Sequence, residues 1–176
     1  GMFSPATFSL FVRPSSFNRP YLVTAGLGDV LNYLANFSVS QEAIEYLRST
    51  EIFNDDLLEY LQNMRFTGNV RAIPEGRLYF YNEPILEITA PLPEAQIVET
   101  FIINQINLQS TIATKAARCV YAAGNRSLSD FSLRRAHGID AGMKAARCSS
   151  LAGFHSTSTV LASKSYGIPV GGTMGH

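Results

Sequence analysis

The sequence is short of cysteine, of net charge and of long apolar runs, and each shortage removes a class of protein. Its two cysteines, Cys119 and Cys148, allow neither a disulfide framework nor a zinc-ligand spacing. In "ATKAARCVYAA" and "MKAARCSSLAG" they read as free thiols on helices, in a reducing compartment. Fourteen basic side chains balance fourteen acidic ones, so nothing asks for a nucleic acid or an acidic membrane as partner. No apolar stretch approaches the roughly 18–20 residues of a membrane span. The opening "GMFSPATF" lacks the basic-then-apolar layout of a signal peptide. A cytoplasmic, soluble chain is expected. Phosphate-loop and dinucleotide fingerprints are missing too: "GLGDVL" has glycines only at Gly26 and Gly28 and reads as an ordinary helix start. His137, His155 and His176 are not at metal-ligand spacing.

What is present is apolar content, 46% of 176 residues, enough for one ordinary domain or two small ones. "ATFSLFVRP" alternates as a strand. "AGLGDVLNYLANF" reads as a helix with Leu27, Val30, Leu31 and Leu34 on its apolar face. "SQEAIEYLRS" and "NDDLLEYLQNM" follow as short helices, with Ser40 and Asn54 as N-caps. "GNVRAI", "GRLYFY" and "ILEITA" are strand candidates separated by turn residues. From Pro93 to Gly124 no proline or glycine interrupts, which predicts one long helix or two with a kink.

Beyond Gly124 the rhythm changes. "LSDFSLRR", "STSTVLA" and "IPVGGT" read as strands, with helices "IDAGMKAARCSSLAG" and "ASKSYG" between them. Strands alternating with helices imply parallel units. An α+β domain is therefore expected over 1–124 and an α/β domain over 125–176. Three strands cannot close a barrel, so the second domain reads as incomplete. Polar residues recur where these strands end: Arg134 and Arg135, then Ser156–Thr159, then Gly171, Gly172 and Thr173 with His176 one turn later. Ligands of parallel α/β folds bind at that edge. Paired guanidinium forks, hydroxyls and glycine N–H groups suit an anion, and Ser156–Thr159 contains no acid to repel one. Arg134, Ser158 and Thr173 are expected on one rim. A surface ion pair of the arginines with Asp130 or Asp140 is the alternative.

"NEPILEITAPLPEAQIVET", "DFSLRRAHGIDAGMKAAR" and "TSTVLASKSYGIPVGGTMGH", with "FSLFVRP…YLVTAGLGDVLNYL" upstream, resemble nicotinate phosphoribosyltransferases over nearly the whole chain. The resemblance implies an irregular α/β (TIM-like) barrel beside the α+β domain, and a homodimer with shared active sites. It implies the joining of nicotinate to 5-phosphoribosyl 1-pyrophosphate, giving nicotinate mononucleotide and pyrophosphate, coupled to ATP through a phosphorylated histidine. On this pattern His176 is the phosphoacceptor. Thr173, beside Gly172, contacts nicotinate. Arg134 and Arg135 approach its carboxylate or the phosphates, in an order left open. Phe131 and Ser158 fall where a nicotinamide-using relative stacks and recognises its ring. That relative has an aspartate in place of Ser158, so the serine favours a carboxylate ligand. Magnesium is neither implied nor excluded by the residues. A Thr-Asp-x-Tyr run usual in the family is missing, and the match stops at His176. The isolated chain is therefore expected to be inactive, and a non-catalytic interaction subunit is the rival reading. A quinolinate or nicotinamide enzyme fits the long "NEPILEITAPLPEAQ" stretch less well.

Overall fold

Strand β5 (Leu86–Pro91) organises the first part of the chain because its side chains alternate between core and surface. Leu86, Ile88 and Ala90 are buried, and Thr89 is exposed. The computed structural model describes residues 3–14 and 19–172. In it β5 is the centre of an antiparallel sheet, flanked by β1 (Pro5–Leu10) and β3 (Asn69–Ala72). A separate two-stranded ladder pairs β2 (Leu22–Val23) with β4 (Leu78–Tyr79).

Three short helices close the other side of this core: α1 (Leu27–Ala35), α2 (Gln41–Ser49) and α3 (Asp55–Asn63). The two expected caps are in place. Ser40 Oγ accepts from Ala43 N at 3.2 Å, and Asn54 Oδ1 accepts from Leu57 N at 2.9 Å. Val30 and Leu34 of α1 are buried with Ile44 and Leu58. Leu31 departs from its expected place on that face and is 45% exposed.

Pro91 leads directly into α4, one unbroken helix over Leu92–Ala123. Proline in the first turn lacks only an N–H that the helix cannot use there. Gly124 ends the helix with φ 60, a conformation open to glycine. Glu94 is buried near the start, where its carboxylate accepts from Thr67 N at 2.7 Å. The sides of α4 serve both parts of the chain. Val98 and Ile102 join the first core, and Tyr33 stacks on Phe101 with ring centroids 3.8 Å apart. Ala113 joins a second cluster with Val23, Ala25 and Cys148.

After α4 come β6 (Ser129–Asp130), α5 (Ile139–Leu151), β7 (Ser156–Thr157) and α6 (Val160–Tyr166). The expected parallel pairing is present: Ser129 faces Ser156 and Asp130 faces Thr157, and Val170 makes a parallel bridge to Thr157. The strands are shorter than the sequence suggests. Ser132–Arg135 forms a 3-10 turn instead of continuing β6, because the Asp130 carboxylate takes the Ser132 N–H at 3.1 Å. Val160–Ala162 belongs to α6 instead of a strand. Among the described residues no helix is long and apolar enough to cross a membrane.

Candidate functional site

The parallel register brings three chain segments to one edge. Ser158 N donates to Asp130 O at 2.9 Å, and Gly171 N donates to Thr157 O at 2.8 Å. Phe131 and Ser158 lie one residue, and Gly172 two residues, past these paired positions. Arg134 and Arg135 sit in the 3-10 turn beyond β6, both exposed. The alternative, an ion pair of the arginines with Asp130 or Asp140, is not found among the described residues: Asp140 pairs with Lys144 at 3.2 Å, while Asp130 accepts from Thr157 Oγ1 at 2.8 Å. Thr173 and His176 lie outside the described residues, so their expected place on this rim has no structural counterpart here.

A cavity of about 480 Å³ opens beside this edge, between α4, the β6 segment and α5. Phe131 and Arg135 line it; Arg134, Ser158 and Gly172 do not. The cavity wall thus offers an aromatic ring and a guanidinium, with a second ring from Phe154 and a second cation from Lys115. Ser132 also lines it, and its hydroxyl is buried with no hydrogen-bond partner among the described residues. A buried hydroxyl left open in a cavity wall is a position for a ligand or a water.

One expectation needs correction. Ser156–Thr159 has no acid of its own, yet the fold presses Asp130, 3% exposed, against Thr157. A carboxylate therefore underlies the hydroxyl cluster, fixed by two donors. Sequence reading missed it because the contact crosses from one strand to the next. It also missed Lys115, whose only signal is a cation in "TIATKAARC", a stretch without acids.

Gly142 positions the arginine turn. A Cβ there would press on the Leu133 side chain and come 3.3 Å from its Cα. The turn can lie flat on α5 only because residue 142 has no side chain. Gly142→Ala should cost about 1–2 kcal/mol through this overpacking, read as a lowered urea midpoint with an unchanged slope. A midpoint equal to wild type would show that the turn gives way freely.

An antiparallel sheet feeding a long helix, followed by parallel strand–helix units with a cavity beside a strand end, defines a mixed α/β protein. Residues 1–107 match the family model of the nicotinate phosphoribosyltransferase (NAPRTase) N-terminal domain. The chain is 49% identical over 175 residues to nicotinate phosphoribosyltransferase pncB2 of Mycobacterium tuberculosis, covering 99% of this chain and 38% of that protein. It is 43% identical over 138 residues to the nicotinate phosphoribosyltransferase of Bacillus subtilis, covering 78% and 28%. It superposes on the crystal structure of human nicotinic acid phosphoribosyltransferase with a TM-score of 0.90 at 35% identity, covering 99% of this chain and 36% of that one. The chain therefore belongs to the nicotinate phosphoribosyltransferase family, and spans well under half the length of these relatives.

Proposed function

We propose that this chain forms part of an enzyme that joins nicotinate to 5-phosphoribosyl 1-pyrophosphate. A ring nitrogen of nicotinate bonds to C1 of the ribose as pyrophosphate leaves, giving nicotinate mononucleotide. The observation that carries this reading is Phe131 and Arg135 on the walls of one cavity, beside the open Ser132 hydroxyl. The ring supplies a flat apolar face and the guanidinium a forked partner for a carboxylate. Displacement builds positive charge on the sugar, so the protein's work is to position the ring and hold the anions. Arg134 serves the phosphates or shares the carboxylate. Thr173 contacts nicotinate on the family pattern, while Ser158 and Gly172 sit at neighbouring strand ends outside the cavity wall and bear on the ligand's far side. His176 takes a phosphoryl group from ATP and so couples its hydrolysis to the transfer. The β6–α5–β7–α6 units open an irregular barrel, the first 124 residues form its α+β neighbour, and a homodimer shares the sites in the cytoplasm. Among the described residues no group of three His, Cys, Asp or Glu could hold a metal ion.

The test is binding. Arg135→Ala should weaken nicotinate by about 2–3 kcal/mol and leave nicotinamide nearly unchanged, measured by calorimetric titration. Nicotinate binding that survives both Arg134→Ala and Arg135→Ala would sink the carboxylate assignment.

A further inference from the structure

Another cavity, of about 480 Å³, lies between the end of β1, the β4–β5 loop and α4, and shares no lining residue with the one at Phe131. Its floor is aliphatic. Leu22, Ile85 and Ile106 line it, belong to the first core and are at most 8% exposed. Backbone bonds hold its sides together: Ile85 N donates to Leu10 O at 2.8 Å, and Asn82 N to Val12 O at 2.9 Å. Phe11 and Ile103 also line it and are exposed, so the apolar surface continues out to solvent.

Two features separate this cavity from a gap at the margin of a core. Tyr81 lines it, and the phenol oxygen is buried with no hydrogen-bond partner among the described residues. A buried hydroxyl left unmatched costs stability unless a ligand or a water meets it. The charge is also one-sided, since Arg13 and Arg19 line the cavity and no acid does. Glu83, the acid nearest to Tyr81 in sequence, is engaged elsewhere and accepts from Phe80 N at 3.0 Å. Arg13 is exposed and makes no ion pair among the described residues. Ser110 has no hydroxyl to spare: its Oγ donates to Ala25 O and accepts from Ala25 N, each at 3.2 Å.

We propose that this cavity binds a small amphipathic carboxylate, its hydrocarbon body on the aliphatic floor and its anion against Tyr81 and the arginines. A phenol donates to a carboxylate, and a guanidinium fork matches its two oxygens. A cavity of about 480 Å³ lies within the range of small-molecule sites and takes a body of roughly eight carbons. A sugar or a phosphate would set polar groups against the floor at a desolvation cost. Nicotinate, with one ring, would leave most of the floor uncovered. The site is therefore independent of the proposed reaction and takes a different ligand.

Octanoate, titrated calorimetrically into the 176-residue chain, is the probe. Saturable one-site binding is expected, with acetate not binding, because it lacks the body, and 1-octanol binding more weakly, because it lacks the charge. Tyr81→Phe removes only the hydroxyl and should weaken octanoate about tenfold. Arg13→Gln should weaken it roughly threefold, and Arg135→Gln should leave it unchanged. If Tyr81→Phe fails to fold, judged by circular dichroism, Arg13→Gln decides, since that side chain is exposed. Hydrogen exchange gives a second readout: octanoate should slow exchange around Ile103 and Tyr81. Binding undiminished in both folded variants, or a lack of saturation, overturns the proposal. Displacement of octanoate by nicotinate, or loss of binding in Arg135→Gln, also overturns it, because the ligand would then sit in the Phe131 cavity. A dimer in sedimentation that excludes octanoate would assign the surface to a second copy and overturn it as well. Nicotinate binding can fail in the earlier test while octanoate still binds, so the two readings fall separately.

Discussion

Arg147→Ala is expected to lower stability by about 2–4 kcal/mol, because it leaves a largely buried carboxylate without its partner. Arg147 of α5 forks onto Glu75, with Nη1–Oε1 at 3.2 Å and Nη2–Oε2 at 2.5 Å. Glu75 also accepts from Gly26 N at 2.6 Å, at the start of α1. The pair thus ties the β3–β4 loop, α1 and α5 together across 72 positions of sequence. Burial alone would raise the Glu75 carboxyl, but the Arg147 hydrogen bond and charge, with the Gly26 and Gly28 N–H groups, outweigh it and hold it below the usual range. A carboxyl lowered on folding stabilises above its unfolded value, about 4.3, and that contribution is lost as pH falls through its folded value. In Arg147→Ala the carboxyl loses the guanidinium's hydrogen bond and charge, keeps the lowering by the Gly26 and Gly28 N–H groups, and keeps the burial that raises it. The gap between wild type and variant should therefore be widest near neutrality and narrow in acid. Urea denaturation at pH 7 and near pH 3 measures this. A gap that stays constant, or one under about 1 kcal/mol at pH 7, would show that the pair is an ordinary surface contact.

Asp130→Ala should cost about 2–3 kcal/mol by stranding two donors, the buried Thr157 hydroxyl and the Ser132 N–H. It should also release the 3-10 turn that carries Arg134 and Arg135, since the Ser132 contact is what stops β6 there. Asp130→Asn keeps one carbonyl acceptor and should lose about half as much. Thermal denaturation separates the two variants, and nicotinate titration reads the turn. An alanine variant with wild-type stability would mean that the Asp130 bonds only replace equivalent ones to water.

Local signals foretold the helices because their causes are local. Ser40 and Asn54 act within their own first turns, and Pro93 and Gly124 bracket α4 by backbone chemistry alone. The α/β part was legible in its order and parallel sense but not in its boundaries. "STSTVLA" has a strand's β-branched residues, yet pairing ends at Thr157, and Thr157 Oγ1 takes the Thr159 N–H at 3.1 Å as α6 begins. Leu31 was assigned to the core by period, but the apolar face of α1 is narrower than the pattern suggests, centred on Val30 and Leu34. Of the candidate site, the residue types at strand ends could be read, and so could the family. That Arg135 faces the cavity and Arg134 does not depends on the handedness of a turn set by Asp130. Glu75 with Arg147, and Lys115 with Phe131, are juxtapositions only the fold creates.

The continuity of α4 bears on how a ligand would get in and out. At about 1.5 Å per residue, its 32 residues form a strut nearly 50 Å long, shared by the first core and by the helix that carries Arg147. A rod of this kind, without glycine or proline past its first turn, does not supply a pivot. Closing around a ligand by swinging one half against the other would mean bending the strut or breaking the Glu75 fork. The low-energy motion available is local instead: short segments at the strand ends shifting over a fixed frame, on the faster timescale of loops.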